Sequence, residues 1–278
     1  MKIGAIIQAR NSSTRFPKKV LKPLPFGSDV CVLQQVIRRV SKSKFIDEII
    51  VATSTDLEDE EIVDIAKKED VKYYRGSLNN VLERYYKAAT EYDLDIIIRI
   101  TSDCPCVDAE IIDKVISSHL DSDADYTSNS LKETFPRGID CEVINYDVLK
   151  RTYNEASHHY EKEHVTPFIY KSHPEEFKIN SYFVNEDNSK VRITLDTPQD
   201  YSLLCSIYDY LYEKNNFFSL NDILSLLEEK PWLKIVNEDI IQKKVCSNLS
   251  EEIQEAINLC KKQDLKKAKD FIEGHIDG

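Results

Sequence analysis

The chain has 278 residues, enough for one large domain or two modest ones. Its formal net charge is −12, and so acidic a chain lacks the broad basic face that binding to nucleic acid requires. Hydrophobic residues make up 41%, enough for a real core, but no apolar run approaches the roughly 18 residues that span a bilayer. We therefore expect neither nucleic acid nor a membrane as a partner.

The N-terminal residues pass directly into a predicted strand, without the apolar core of a signal peptide. The seven cysteines are odd in number and scattered, which fits reduced thiols better than disulfides or a zinc site. These two observations predict a cytoplasmic protein. Glycine is scarce, with six residues, so the glycine-rich loops of P-loop and dinucleotide-binding proteins are absent from the sequence.

The first half of the chain alternates strand and helix patterns. Near-continuous apolar runs predict strands at 3–8, 48–53, 71–74, 95–101 and 124–127. Apolar residues at helical spacing lie between these strands. Such alternation predicts an α/β fold with a mostly parallel sheet that is covered by helices on both faces.

The pattern changes after about residue 130, where an insertion at about 130–190 is predicted. Its elements are strands at 139–144 and 177–184 and helices at 146–157 and 161–171. A strand at 191–195 and a helix from Pro198 to about Tyr212 follow. From Ser219 onward the pattern predicts helices alone, at 220–227, 240–245, 249–260 and 265–272, with a break at Pro231-Trp232. The predicted domains are therefore 1–218, which includes the insertion, and a helical C-terminal extension at 219–278.

A cluster of cations surrounds the end of the first strand. Residues 1–28 contain no acid and six basic residues, which are Lys2, Arg10, Arg15, Lys18, Lys19 and Lys22. Basic side chains beside Ser hydroxyls and loop amides, at the carboxyl end of a strand, are typical of a polyphosphate site. A solvated surface loop is the alternative.

Two other predicted strands end in an aspartate close to a proline. Asp103 lies two residues before Pro105, and Asp196 lies two residues before Pro198. Carboxylates at the ends of parallel strands could hold Mg²⁺ against phosphate oxygens. The alternatives are structural, since Asp103 could be a turn residue and Asp196 could cap the following helix.

These residues, taken in order, resemble a known family. Ala9-Arg10-x-x-Ser13-Thr14-Arg15-x-Pro17-x-Lys19, Asp103 and Leu195-Asp196-Thr197-Pro198-x-Asp200 are similar to the cytidylyltransferases that activate acidic sugars, such as CMP-Kdo synthetase. Further motifs resemble the SpsF-like branch, named for spore coat polysaccharide synthesis: Gln8-Ala9-Arg10, Arg75-Gly76-Ser77, Asn80-Val81-Leu82-Glu83-Arg84-Tyr85, Arg99-Ile100-Thr101-x-Asp103-Cys104-Pro105, Gly138-x-Asp140-x-Glu142-Val143 and Glu163-His164-Val165-Thr166-Pro167. The resemblance covers about residues 1–245.

The resemblance implies a Rossmann-like nucleotidyltransferase fold, a dimerising insertion in a homodimer, CTP as the nucleotide and Mg²⁺ as the cofactor. Its implied triphosphate contacts are Arg10, Arg15 and Lys19, with Ser13 in the same nucleotide-binding motif. Its implied cytidine contacts are Gln8, Ala9, Arg75 and Ser77. Its implied Mg²⁺ ligands are Asp103 and Asp196. Its implied acceptor side is Asp140, Glu142, His164 and Arg192.

The expected reaction is attack by an acceptor oxygen on the α-phosphorus of CTP, with pyrophosphate as the leaving group. Arg15, Lys19 and Asp103 would be catalytic through positioning and electrostatics. The expected acceptor is an acidic sugar or a phosphorylated small molecule that is destined for surface polysaccharide. A glycosyltransferase that uses a nucleotide-sugar donor and a catalytically silent interaction protein are the alternatives.

Two assignments within these motifs remain open. Arg99 alternates with apolar neighbours along its strand and so points to the opposite face, where it needs either a structural partner or a ligand. His164 follows a charged run in a predicted helix, and it is either an acceptor contact or a packed or solvated helix residue.

Overall fold

The computed structural model describes residues 1–240, 246 and 248–275. Its strands are β1 (Ile3–Gln8), β2 (Glu48–Ser54), β3 (Lys72–Gly76), β4 (Ile96–Thr101), β5 (Tyr126–Ser128), β6 (Glu142–Asn145) and β7 (Ile179–Ser181). Its α-helices are α1 (Val32–Val40), α2 (Glu60–Lys68), α3 (Val81–Glu91), α4 (Ala109–Ser122), α5 (Tyr146–Glu155), α6 (His159–His164), α7 (Pro198–Leu211), α8 (Leu220–Glu229), α9 (Trp232–Ile235), α10 (Leu249–Lys262) and α11 (Lys266–Glu273). Short 3₁₀ segments span Lys19–Leu21, Leu57–Asp59 and Pro174–Glu176, and Phe168–Ser172 is π-helical.

The strands form one sheet in the order β3-β2-β1-β4-β6-β5-β7. Neighbouring strands pair in parallel except where β6 pairs with β4 and β5, so β6 alone runs against the rest. The chain moves from β1 to one side of the sheet and later returns to β4 on the other side. The strand order therefore reverses at the carboxyl ends of β1 and β4, and open α/β sheets bind ligands at such a point.

Alternation along the central strands divides the core into two apolar layers. Ile3, Ala5 and Ile7 of β1 pack in one layer with residues of α1, α2, α4, α7 and α8. Ile6 of β1 packs in the other layer with residues of α3 and α5. The predicted α/β fold, a mostly parallel sheet with helices on both faces, is confirmed.

The predicted helix at 161–171 is wrong in its middle. α6 ends at His164, because Val165 has φ 72° and ψ −57°, angles that no helix accommodates. Pro167 follows, and the backbone then continues as a π-helical segment over Phe168–Ser172.

The predicted strand at 191–195 is reduced to a single bridge between Arg192 and Arg137. Gly138, with φ 106°, lies so close to this segment that an added Cβ would stand 2.7 Å from the backbone of Ile193. A glycine is therefore required at position 138 both for the positive φ and for the close approach.

Contacts divide the chain into two compact units, residues 1–239 and 240–278. In the first unit α8 and α9 contact α7, and in the second α10 and α11 contact each other. The predicted helices at 249–260 and 265–272 correspond to α10 and α11. Residues 241–245, most of a further predicted helix, lie outside the described residues, and the domain division at 218/219 stays a prediction. Nowhere in the described ranges is a helix both long enough and apolar enough to cross a membrane.

Candidate active site

The loop after β1 is anchored to the sheet by a buried carboxylate. Ala9 N–H donates to the carbonyl of Ala52 at 3.1 Å, which extends the pairing of β1 with β2. Asn11 N–H then donates to Asp59 Oδ1 at 2.7 Å, and Ser54 Oγ donates to Asp59 Oδ2 at 2.5 Å. Asp59 is buried, so these bonds fix the start of the cationic loop. The motifs in the sequence did not point to Asn11 or Asp59.

Lys19 joins the two aspartates predicted at strand ends. Its Nζ lies 2.7 Å from Asp103 Oδ2 and 2.8 Å from Asp196 Oδ1. The backbone brings the two carboxylates together, since Leu195 N–H donates to the carbonyl of Asp103 at 2.8 Å. Both carboxylates therefore reach a single cation.

Asp196 is surrounded by three cations. Besides Lys19, Arg15 Nη2 lies 3.1 Å and Arg192 Nη2 2.9 Å from Asp196 Oδ2. Burial opposes ionisation of this carboxyl, but Lys19 and the two arginines outweigh it and lower its pKa to about 2. Burial likewise opposes the charge on Lys19, but the two aspartates raise its pKa above the usual value.

The alternative role of Asp196 as a helix cap is wrong. Thr197 caps α7, and Asp200 completes its capping box, with Asp200 N–H donating to Thr197 Oγ1 at 3.2 Å. Asp200 is fully buried and pairs with Arg192 Nε at 2.9 Å, while Asn237 Nδ2 donates to it at 2.8 Å. Because Thr197 and Asp200 satisfy the helix terminus, the Asp196 carboxylate faces the cation cluster instead.

The residues predicted on the cytidine side line the ends of β1 and β3. Gln8 Oε1 is buried and has no hydrogen-bond partner within the described chain. Arg75 donates to the carbonyls of Ser54 and Asp56, both at 3.0 Å, and forms an ion pair with Glu60.

The loop that contains Ser77 is held by Arg84, a buried residue of α3. Its Nη1 donates to the carbonyl of Ser77 and, at 3.2 Å, to that of Leu78. Burial lowers the pKa of Arg84, because the surroundings provide little compensation for its charge. Arg84 thus fixes the backbone of the loop that contains Ser77.

The open assignment of Arg99 has a structural answer. Arg99 of β4 pairs in register with Glu142 of β6, and their side chains form an ion pair. Tyr126 OH and, at 2.8 Å, Thr166 Oγ1 donate to the other oxygen of the same carboxylate. Burial opposes the charge on Arg99, but Glu142 raises its pKa above the usual value.

The remaining residues predicted on the acceptor side lie near this pair. Asp140 is partly buried, and its carboxylate accepts a hydrogen bond from Gly138 N–H at 3.3 Å. The buried surroundings raise the pKa of this carboxyl. His164 is the last residue of α6, and its neighbour Glu163 lies 4.0 Å from Arg10 Nη2. One connected cluster thus holds Arg15, Lys19, Asp103, Asp196 and Arg192, and the roles of all the predicted site residues stay predictions.

Known proteins that are similar to this chain support the predicted family. A family model described as cytidylyltransferase matches residues 4–271, so the family likeness extends past residue 245, where we expected it to end. The chain belongs to the cytidylyltransferase family. It is similar to the spore coat polysaccharide biosynthesis protein SpsF of Bacillus subtilis, with 34% identity over 81% of this chain and 94% of that protein. An uncharacterised protein of Methanocaldococcus jannaschii is 36% identical over 87% of this chain and 97% of its own length.

A solved structure extends the comparison to three dimensions. A cytidylyltransferase from Leptospira borgpetersenii superposes with a TM-score of 0.80 at 34% identity, covering 87% of this chain and all of that one. The predicted SpsF-like family and nucleotidyltransferase fold are confirmed, and this cytidylyltransferase is an enzyme of the nucleotidyltransferase class.

Proposed function

We propose that this cytidylyltransferase transfers CMP from CTP to an acidic sugar or a phosphorylated small molecule and releases pyrophosphate. The observation that supports the proposal most directly is the contact of one ammonium, Lys19, with two strand-end carboxylates beside a loop of further cations. A triphosphate brings the negative charge that such cations attract, and a divalent cation brings the positive charge that the carboxylates attract.

Asp103 and Asp196 fit a Mg²⁺ ion by the chemistry of their donors. Both offer hard carboxylate oxygens, and their shared contact with Lys19 shows that they can approach the same cation. Among the described residues no group of three or more His, Cys, Asp or Glu side chains could hold a metal. Two carboxylates together with substrate phosphates are nevertheless a usual Mg²⁺ environment. When bound, Mg²⁺ would polarise the phosphate oxygens and favour attack at phosphorus.

The protein's own residues position the nucleotide and stabilise the leaving group. Arg10, Arg15 and Lys19 would contact the triphosphate together with Ser13, and Arg15 and Lys19 would neutralise charge on the departing pyrophosphate. The cytidine would lie against Gln8, Ala9, Arg75 and Ser77. Since the reaction is a direct displacement, no covalent enzyme intermediate is needed, and correct placement of the two substrates provides much of the rate.

The acceptor would approach from the side of Asp140 and His164. Glu142 would support that side through its ion pair with Arg99. Arg192 would support it through its ion pairs with Asp196 and Asp200. We also propose a homodimer, as the resemblance implies, and a cytoplasmic location, which agrees with the seven free cysteines. The product would be an activated precursor for surface polysaccharide.

A melting experiment with four nucleoside triphosphates and Mg²⁺ tests the nucleotide. CTP should raise the melting temperature well above the effect of ATP or GTP, since a ligand at about 100 times its Kd adds roughly 2.7 kcal/mol. Equal shifts with all four would contradict the cytidine assignment.

A pyrophosphate-release assay then tests the acceptor. The panel contains 3-deoxy-manno-octulosonate, other sugar acids and sugar phosphates, each with CTP and Mg²⁺. Lys19→Met should abolish release, whereas Lys178→Met, which removes an exposed lysine beside Asp123, is the matched control. A protein that binds nucleotide sugars but releases no pyrophosphate from CTP with any acceptor would instead fit the glycosyltransferase alternative.

A further inference from the structure

The backbone at Val165 is strained at the point where α6 ends. Its φ of 72° and ψ of −57° describe a γ-turn of the rare type, closed by a 2.9 Å hydrogen bond from Thr166 N–H to the carbonyl of His164. Among the described residues, Val165 is the one β-branched side chain with a positive φ, whereas the other non-glycine cases are Lys or Asp. Such a conformation persists only where the surrounding structure enforces it, and it is common at functional sites.

Two kinds of contact enforce the turn. The Val165 side chain is fully buried in the apolar layer that contains α3 and α5. The next residue, Thr166, donates its hydroxyl at 2.8 Å to Glu142 Oε1. Glu142 lies in β6 and is held in turn by Arg99 of β4, so the turn is connected by hydrogen bonds to the centre of the sheet.

The turn determines where the end of α6 lies. Glu163 and His164 directly precede it, and Glu163 Oε1 lies 4.0 Å from Arg10 of the cationic loop. The Glu142 side chain is 7% exposed, and its two oxygens already contact Arg99, Tyr126 and Thr166. A carboxylate so enclosed has little surface left for a substrate, but it is well placed to orient its neighbours.

We propose that Glu142 and Thr166 are positioning residues: they hold the strained turn at Val165, which places His164 and Glu163 at the acceptor side of the site. The inference rests on the proposed function for its catalytic meaning, but the placement itself is a property of the free protein. Glu142 then acts on the reaction through His164 and does not contact the acceptor.

The first test is the NMR signal of the His164 ring in histidine-labelled protein, assigned by its loss in His164→Gln. Thr166→Val keeps the branched shape but removes the hydroxyl, so it should move this signal and its pH titration. Thr166→Ser keeps the hydroxyl and should restore both. Thr152→Val removes another buried threonine hydroxyl, which bonds within α5 to Val148, and should leave the His164 signal in place. Thr166→Ala repeats the test if Thr166→Val does not fold.

The second test is the pyrophosphate assay. Thr166→Val should reduce turnover by about 100-fold, the loss that a 1 Å misplacement can cause, with Thr166→Ser near wild type. An unmoved His164 signal in Thr166→Val, or an equal movement in Thr152→Val, would overturn the proposal. Wild-type protein that fails to bind CTP would refute the proposed function instead, while the NMR result would still decide the positioning role.

Discussion

Two ion-pair clusters at the carboxyl ends of the strands differ in what they leave open. In the cationic cluster, the Arg15 side chain is 41% and the Asp103 side chain 25% exposed, whereas Lys19 and Asp196 are 12% and 14% exposed. In the cluster of Arg99 and Glu142, the two side chains are 15% and 7% exposed, and Tyr126 and Thr166 also donate to the carboxylate. The first cluster has exposed members, where we propose that phosphates and a metal ion replace the ion pairs, whereas both oxygens of Glu142 already contact donors.

The difference indicates that the two clusters have different roles. An exposed member of a cluster, such as Arg15, costs little to move away from its partner, because water already screens it and replaces its contacts. A buried pair is costly to break, because removal of one partner leaves the other charged and desolvated. We therefore assign the catalytic role to the cationic cluster at Lys19 and the positioning of the backbone to the pair of Arg99 and Glu142. The predictions below test that assignment.

The largest expected effect is on stability, from Glu142→Ala. This change leaves Arg99 without its carboxylate and should lower the free energy of unfolding by about 3–5 kcal/mol. Glu176→Ala, which breaks the exposed pair with Arg151, is the control and should cost at most about 1 kcal/mol. Urea denaturation measures both, and equal losses would remove the distinction between the clusters.

The next effect is on turnover, from Asp103→Asn and Asp196→Asn. Each should reduce turnover by about 100- to 1000-fold, as the loss of one charge-stabilising group does in other enzymes, while the fold survives. Asp123→Asn is the matched control, because Asp123 is fully exposed and Asn also tolerates its left-handed backbone. Near-normal turnover of either site variant at low Mg²⁺ would show that the residue is not a metal ligand.

Arg15→Ala should reduce turnover with CTP by about 10- to 100-fold, because its guanidinium stabilises the leaving phosphates chiefly in the transition state. Binding of CMP, which lacks the β- and γ-phosphates, should change little. Lys22→Ala removes a cation of the same segment that lies over the Phe16 ring and serves as the control. Calorimetry measures the binding of CMP and CTP, and steady-state kinetics measures turnover. Equally weakened binding of CMP and CTP, with turnover unchanged, would contradict the role of Arg15 at the leaving phosphates.

Acid should weaken the cationic cluster through Asp196. Its pKa of about 2 in the folded protein lies below the ordinary 3.8, so its stabilising contribution is complete above about pH 4 and is lost as the pH falls towards 2. This difference in pKa corresponds to a contribution of about 2 kcal/mol to the free energy of unfolding. Asp196→Asn should therefore show a flatter decline of unfolding free energy over this range, and parallel curves would refute the assignment.

The smallest expected effect is on activity, from deletion of residues 247–278. Every proposed site residue lies within residues 1–239, whereas α10 and α11 belong to the second compact unit. Specific activity should stay within a few-fold, while the melting temperature should fall or the oligomeric state should change, because an apolar face that α10 and α11 cover would be exposed. Complete inactivity of a folded, truncated protein would show that the second unit contributes to the site.

The strands and the cationic loop were predictable, because their signals are local. An apolar run such as 3–8 forms a strand wherever it is buried, and the sheet observed matches the predicted strands closely up to residue 128. The short strands and the broken helix of the insertion were predicted less well. The reason is visible at Val165 and Gly138, where contacts with residues far away in the sequence outweigh local preference.

The sequence by itself determined the fold class, the family and the placement of cations and carboxylates at strand ends, because periodicity and ordered motifs persist in one dimension. The tertiary structure alone decided that Asp103 and Asp196 meet at Lys19, that Thr197 rather than Asp196 caps α7, and that Glu142 is the partner of Arg99. These pairings join residues far apart in the chain. Their energies depend on burial and distance, which no local pattern encodes.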